Sequence, residues 1–138
     1  MPVSCDVQVK FLSPPEPLRR YFTSFYCAEI VPPPGDLARD LLHPEWANLR
    51  FFSGALPVAE ARDGTRVAGT EFSATGPSSQ AVRFAVGATR LWGVGLLPLG
   101  WAKFVHVKAV EHANAVADGN AHPAFACFRP LAETLFGA

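Results

Sequence analysis

The chain has 138 residues, of which 49% are hydrophobic and 17% are charged, a composition that excludes a disordered protein and favours one globular domain. Lysine plus arginine equals aspartate plus glutamate at 12 each, so the formal net charge is +0 at pH 7. The chain therefore lacks the basic surface that binding to DNA phosphates requires, and we expect no DNA binding by this chain itself.

The first predicted elements are two strands. Residues Cys5 to Phe11 alternate apolar and polar side chains, which is the period of a half-buried strand. The sequence SPPEP at 13–17 ends this strand, and Pro17 is placed to open a short helical turn. The aromatic stretch Tyr21 to Ile30 predicts the second strand.

The middle of the chain is predicted to be β, apart from one long loop. The prolines and the glycine at 32–35 open a section that is expected to be loop-like, with at most one helical turn. Strands are predicted at Asn48 to Ser53 and at Val67 to Thr75. Residues Ala81 to Val86 and Thr89 to Leu97 are predicted to pair as a hairpin.

The periodicity changes after Pro98, where apolar residues recur at helical spacing. The predicted helices are Leu99 to Val105, Lys108 to Ala117 and Pro123 to Phe136. Strands followed by helices indicate an α+β fold, with a β-barrel or sandwich and then two or three C-terminal helices. Since no internal repeat is present, we expect a single domain over 1–138, with a β part at 1–97 and a helical part at 98–138.

The cysteine content and the hydropathy predict a location in the cytoplasm. Cys5, Cys27 and Cys127 are odd in number and far apart, which argues against a disulfide framework or a thiolate zinc site. The N-terminal sequence has no apolar run of signal-peptide length, and no segment has the roughly 18 apolar residues of a membrane span. We therefore expect a cytoplasmic protein without membrane contact.

The common catalytic and cofactor motifs are absent from the sequence. The glycine-rich stretch GVGLLPLGW at 93–101 has Pro98 where a dinucleotide-binding motif needs its third glycine. No Lys-Ser or Lys-Thr follows a G-x-x-x-x-G to form a phosphate-binding loop, and G-x-S-x-G does not occur. We predict a structural turn at 93–101, no cofactor and no enzymatic activity.

A metal site is a weaker alternative. His43 and Glu45 form an H-x-E pair, a fragment of the ligand set that metal-binding cupin barrels use. A complete site needs at least one further histidine or carboxylate from another strand, for example Glu29 or Glu71. On ligand count the prediction is that no metal binds, with a small cupin-type metalloenzyme kept as the alternative.

Aromatic residues on the predicted strands suggest a ligand cavity. A small barrel directs alternate side chains inward, where aromatic rings either fill the interior or line a pocket with a few polar groups. Phe51 is a further aromatic residue in this region. The candidate ligand-binding residues are Tyr26, Glu29, Trp46, Arg50 and Trp92.

The last predicted helix carries an apolar stripe that must be covered. Its residues are Phe125, Phe128, Leu131 and Leu135. The stripe is predicted to pack on the β part of the same chain, with a homodimer contact as the alternative.

Three stretches carry a resemblance to a known family: PLRRYFTSFYCAE, LHPEWANLRFFSG and the sequence from Gly76 to Gly137. In this pattern a Gly-x-x-x-x-Pro-x-Gly step, formed here by Gly93, Pro98 and Gly100, joins the last strand to the first helix. Over roughly residues 13–137 the chain resembles the N-terminal sensing domain of arabinose-regulator-type (AraC family) bacterial transcription regulators.

The resemblance implies a cupin-like β-barrel that binds a small-molecule effector or mediates homodimerisation. Complete members of the family continue into a pair of helix-turn-helix motifs that enter the major groove of DNA. Those motifs are absent from this sequence, so DNA is an expected partner only through a region not present here. Besides the metalloenzyme, a stand-alone protein-interaction module is the other alternative.

Overall fold

A computed structural model describes residues 5–42, 46–62, 64–131 and 134 of the chain. Among these residues, no helix has both the length and the apolar character needed to cross a bilayer. The strands are β1 (Asp6–Leu12), β2 (Phe22–Val31), β3 (Ala38–Leu42), β4 (Asn48–Gly54), β5 (Val58–Glu60), β6 (Arg66–Ala68), β7 (Phe72–Thr75), β8 (Val82–Val86), β9 (Thr89–Leu96) and β10 (Val116–Asp118). The helices are α1 (Pro98–Phe104) and α2 (Ala109–His112), with 3-10 helices at Glu16–Leu18 and Pro123–Phe128.

The strands form two antiparallel sheets that pack face to face. The order is β1-β2-β9-β4-β7-β10 in the six-stranded sheet and β3-β8-β5-β6 in the four-stranded sheet. Within the described residues no strand of one sheet pairs with a strand of the other, so the sheets form an open sandwich and not a closed barrel. The coarse prediction of an α+β sandwich agrees with this architecture.

The strand pairs are nested around one short hairpin. The hairpin is β5 with β6, and outside it β4 pairs with β7, β3 with β8 and β2 with β9. Between β2 and β9, each connection other than β5–β6 carries the chain from one sheet to the other. The apolar faces of both sheets are thereby turned toward each other, which buries them.

Three predictions about the strands are wrong. β8 and β9 do not form a hairpin, since β8 pairs with β3 and β5 while β9 pairs with β2 and β4. The strand predicted at Val67 to Thr75 is two strands in different sheets, and Gly69 between them has a φ of +70°, which favours glycine. The section predicted as a loop after 32–35 contains β3, whose pairing with β8 compensates for its weak sequence pattern.

The helical part is shorter and more mixed than predicted. α1 agrees with the first predicted helix to within one residue, but the second ends at His112. Asn114 has a φ of +59°, which breaks the helix, and β10 then pairs with β7. The last predicted helix begins at Pro123 as a 3-10 helix up to Phe128, and the described residues Leu131 and Thr134 are α-helical.

The main core lies between the helical part and the outer face of the six-stranded sheet, meaning the face that points away from the four-stranded sheet. Phe51 of β4 and Phe72 of β7 stack with ring centroids 4.4 Å apart. Phe125 meets Phe72 edge-on at 6.4 Å, and Trp101 of α1 meets Phe125 edge-on at 5.9 Å. These contacts bury the rings of both layers and fix the helical part on the sheet.

Candidate functional site: a cavity between the two sheets

A cavity of about 600 Å³ lies between the inner faces of the two sheets, meaning the faces that point at each other. This volume is within the range of about 300–1,000 Å³ that is typical of small-molecule sites. The cavity is lined by residues of both sheets, including β1 at the edge of the six-stranded sheet. The interior of the sandwich is therefore only partly filled by side chains.

Polar side chains line one end of the cavity, in two rows that cross the six-stranded sheet. The strand register places Tyr26, Gly93, Arg50 and Ser73 side by side on β2, β9, β4 and β7. The neighbouring row contains Asn48 and Thr75, which face each other across β4 and β7. Residues two apart in a strand share a face, so these polar side chains all point into the cavity.

Hydrogen bonds hold this polar end together. The Tyr26 hydroxyl donates to Asn48 Oδ1 at 2.7 Å, and Asn48 Nδ2 donates to the Trp46 carbonyl oxygen at 3.3 Å. Arg50 Nη1 donates to Thr75 Oγ1 at 3.4 Å, and Thr75 Oγ1 donates to the Asn48 carbonyl oxygen at 3.4 Å. The polar side chains thus keep defined positions beside the cavity.

Two glycines of β9 make room for these side chains. A Cβ atom added to Gly93 would lie 1.9 Å from Cζ of the Tyr26 ring, and one added to Gly95 would lie 2.0 Å from Thr23 Oγ1. The Tyr26 ring therefore lies directly over the backbone at Gly93. The prediction of a turn at 93–101 is wrong, since this sequence is the end of β9 and the start of α1, and its glycines in β9 allow close packing across the sheet.

The remainder of the cavity is apolar. On the six-stranded sheet the next row contains Ala28, Leu91 and Phe52. Phe84 and Val86 line the opposite wall from the four-stranded sheet. Among the described lining residues Arg50 is the one charged side chain, and it is 9% exposed. The cavity therefore has one polar end and one apolar end.

The edge strand β1 extends the apolar wall toward solvent. Its side chains Val7, Val9 and Phe11 line the cavity, yet Val9 is 48% exposed and Phe11 is 69% exposed. The β1–β2 register places Phe11 beside Tyr26, and the two ring centroids are 5.8 Å apart. The side of the cavity next to β1 is therefore open and apolar.

The structure divides the five predicted ligand-binding residues between two faces of one sheet. Tyr26, Trp46 and Arg50 line the cavity. Glu29 and Trp92 do not, because side chains alternate along β2 and β9 and both point to the outer face. Glu29 there forms an exposed ion pair of 3.4 Å with Arg90. The prediction that Glu29 and Trp92 face the cavity is wrong.

Phe51 and the C-terminal stripe also lie away from the cavity. Phe51, Phe125 and Phe128 are buried in the core between the six-stranded sheet and the helical part, and Leu131 packs against that core. Leu135 lies outside the described residues. The described residues of the stripe pack within the chain, while a dimer contact stays a prediction.

Sequence reasoning missed the polar partners of Arg50 at the cavity. Asn48, Ser73 and Thr75 were not singled out, although β4 carries a usable signal. Polar residues at 48 and 50 alternate with apolar residues at 49 and 51, and all four are buried. A strand buried on both faces that nevertheless keeps two polar residues on one face indicates a polar site there.

The predicted metal pair lies outside the described part of the chain. Neither His43 nor Glu45 is described, so the metal hypothesis stays a prediction. Within the described ranges, no group of three or more His, Cys, Asp or Glu side chains is arranged to hold a metal ion. Burial lowers the pKa of His112 and raises the pKa of the Cys127 thiol, but both residues belong to the helical part and neither lines the cavity.

Comparisons of the chain with models of protein families, with curated proteins and with solved structures find no match.

Proposed function

We propose that this chain is the effector-sensing domain of a bacterial transcription regulator of the arabinose-regulator type, and that a small molecule binds between the two sheets. The observation that carries the proposal is the cavity of about 600 Å³ with its polar and apolar ends. A domain that used the sandwich only as a scaffold would gain stability by filling this space with side chains.

The strand order supports a cupin-like fold. The orders β2-β9-β4-β7 and β3-β8-β5-β6, with a chain that crosses between the sheets at most connections, are those of a double-sheet jelly roll of eight strands. Cupins have this architecture. β1 and β10 are additions at the two edges of the six-stranded sheet.

The step from the last strand to the helices supports the family assignment. Gly93 lies in β9, Pro98 is the first residue of α1, and Gly100 lies within α1. A Cβ atom added to Gly100 would be 2.1 Å from the Tyr21 carbonyl oxygen, so α1 packs closely against the chain before β2. Pro98 and Gly100 thus begin α1 and let it pack closely, whereas Gly93 makes room for the Tyr26 ring on the cavity side of β9.

Ligand binding acts on a regulator by stabilising one arrangement of the domain over another. β4 contributes Arg50 and Phe52 to the cavity and Phe51 to the core beneath the helical part. A ligand that orders the inner face of β4 therefore also affects the surface on which the helical part packs. We propose that effector binding alters dimerisation through this connection between the two faces of β4.

The test is a fusion of this chain to a DNA-binding module that represses a reporter gene only as a dimer. The parent fusion is expected to repress, and its repression is expected to change with at least one member of a library of small organic metabolites. Ala28→Phe, which places a ring in the cavity, should abolish that response while the protein still folds.

Ala85→Phe is the matched control, because Ala85 lies on β8 next to cavity residues but does not line the cavity. It should respond as the parent does. A fusion that neither represses nor responds, or an Ala28→Phe protein that responds normally, contradicts the proposal.

A further inference from the structure

Strand β1 leaves one side of the six-stranded sheet open to another strand. Within the described ranges β1 pairs with β2 alone, in one antiparallel register that runs from Asp6 to Leu12 without a shift. All seven residues of β1 are exposed, and none of them is proline. The free edge of such a strand presents backbone N–H and C=O groups that can pair with a further strand.

The inner face of β1 is apolar and uncovered. Val7, Val9 and Phe11 line the open side of the cavity and are 53%, 48% and 69% exposed. Neighbouring apolar side chains with this exposure are typical of a protein contact. Phe125 and Phe128 of the C-terminal stripe are buried in the main core, so β1 is a separate surface from the one that the stripe would offer.

The outer face of β1 carries a charge pattern that is complementary to itself. It presents Asp6, Gln8 and Lys10, since side chains alternate along a strand. If a second β1 pairs antiparallel with the first about a two-fold axis at Gln8, Asp6 of each copy lies opposite Lys10 of the other. On the inner face, the same register places Val7 of each copy opposite Val9 of the other. Every pair between positions 6 and 10 is therefore matched in charge or in polarity.

Other registers lack this match. An axis at Val9 would place Asp6 opposite the apolar Leu12. An axis at Lys10 would place two lysines opposite each other, and parallel pairing in register would place each charge beside its own copy. Like charges that face each other across a strand pair are destabilising. The two charges of β1 thus favour one arrangement, which is antiparallel and centred on Gln8.

We infer that two copies of this chain associate through β1, with their six-stranded sheets joined edge to edge about this two-fold axis. Because the contact is the same on both copies, it closes at the dimer and leaves no free β1 edge. The apolar inner face of the second β1 then continues the wall of the cavity on its open side. The inference goes beyond the proposed function, since it requires neither an effector nor a DNA-binding region.

Sedimentation velocity of the purified chain over a series of concentrations tests the inference. The parent is expected to pass from monomer to dimer as the concentration rises. Lys10→Glu and Asp6→Lys should each weaken dimerisation about tenfold, because two like-charge contacts replace two opposite-charge contacts. Both side chains are exposed, so neither substitution is expected to affect folding.

The two substitutions together provide the sharpest comparison. Asp6→Lys combined with Lys10→Glu exchanges the charges and should restore dimerisation to the level of the parent. An equimolar mixture of the two single variants should also form dimers more tightly than either variant alone, because each charge then faces an opposite one. Lys108→Glu is the matched control, since it makes the same change of charge at an exposed residue of the helical part, and it should dimerise as the parent does.

Four results overturn the inference. The first is a parent that stays monomeric at every concentration, and the second is a pair of single variants that dimerise as tightly as the parent. The third is a charge-exchanged variant that dimerises as weakly as the single variants. The fourth is a Lys108→Glu protein that is weakened as much as Lys10→Glu, since net charge would then be the cause.

These results are distinguishable from those of the reporter experiment. Dimerisation that follows the exchange of charges, together with a fusion that represses but responds to no metabolite, would support the contact at β1 and contradict the sensing function. A response to a metabolite, together with dimerisation that Lys10→Glu leaves unchanged, would support the sensing function and overturn the contact at β1.

Discussion

At the scale of single residues, the cavity depends on two glycines of β9, because a side chain at Gly93 or Gly95 would collide with a neighbouring side chain of β2. Gly93 lies in the row between Tyr26 and Arg50, so its missing side chain lets the phenol ring lie over β9 at this position. The ring then reaches Asn48 with its hydroxyl. A glycine in a strand normally weakens the strand, and here it allows a close approach between neighbouring side chains.

Gly93→Ala is therefore expected to destabilise the protein by about 1–3 kcal/mol, the usual cost of overpacking. Urea unfolding followed by circular dichroism measures this cost. Tyr26→Leu in the same background should remove most of the collision, so the double variant should lose less stability than the sum of the two single variants. Additive losses would mean that the ring does not lie over Gly93.

His112 gives the folding stability a dependence on pH. Burial lowers its pKa in the folded protein, and the nearby His122, with its ring centroid 4.8 Å away, lowers it further, while Glu111 acts in the opposite direction. Between this lowered pKa and the ordinary histidine value of 6.5 the unfolded chain binds more protons than the folded protein. Stability is therefore complete above the ordinary value and decreases as the pH falls below it.

Urea midpoints measured from about pH 7.5 down to about pH 5 should show this decrease, since histidines titrate in that range. In His112→Phe the midpoint should fall less with decreasing pH, because phenylalanine does not bind a proton. Its ring can still contact Trp101 and Phe125. The exposed His106 provides the control, and His106→Gln should retain the pH dependence of the parent. If the urea midpoint of His112→Phe depends on pH as strongly as that of the parent, a group other than His112 causes the loss of stability.

At the scale of elements, strand β4 separates the core from the cavity. Phe51 is completely buried against Phe72 and the helical part, whereas Phe52 faces the other way and lines the cavity. The two residues are adjacent in sequence and chemically identical. They therefore allow the two faces of one strand to be compared directly.

Phe51→Ala is expected to cost about 3–5 kcal/mol, because the tightly packed core cannot close over the lost ring. Phe52→Ala should cost less, about 1.5–3 kcal/mol, since its ring already borders open space and mainly the transfer of apolar surface is lost. Urea unfolding compares the two variants. A larger loss for Phe52→Ala would show that the inner face, and not the outer one, carries the main core.

The elements also show the limits of sequence-based prediction. β1, β2, β4, β8 and β9 were predicted nearly to their ends, because alternating apolar residues mark a strand locally. β3 was missed, since its five residues include the charged Arg39 and Asp40, the sequence before it is rich in proline, and its pairing partner β8 is distant in sequence. β10 was predicted as helix, because an alanine-rich sequence favours a helix. Here antiparallel pairing with β7 stabilises a strand instead.

At the scale of the whole molecule, the sequence predicted strands and helices but not the way in which strands are assigned to sheets. The turn at Gly87-Ala88 predicted a hairpin, yet the chain crosses there to the other sheet. The assignment of side chains to the cavity or the outer face depends on sheet membership and register, and these come from contacts that are distant in the chain. Tyr26, Trp46 and Arg50 could therefore be named as candidates, while Glu29 and Trp92 could not be excluded beforehand.

The nested pairing of the strands also constrains how the chain folds. The β5–β6 hairpin closes a short loop, whereas β2 and β9 come together only after the 57 residues between Val31 and Thr89 have been brought into order. Loop closure costs entropy before the contacts compensate for it, and chains dominated by such distant pairs fold in milliseconds to seconds. Because the pairs are nested, forming the β5–β6 hairpin loses the least chain entropy, and forming the β2–β9 pair from the unfolded chain loses the most. The cavity, whose polar row runs from β2 across β9 to β4, is therefore completed only when the outermost pair forms.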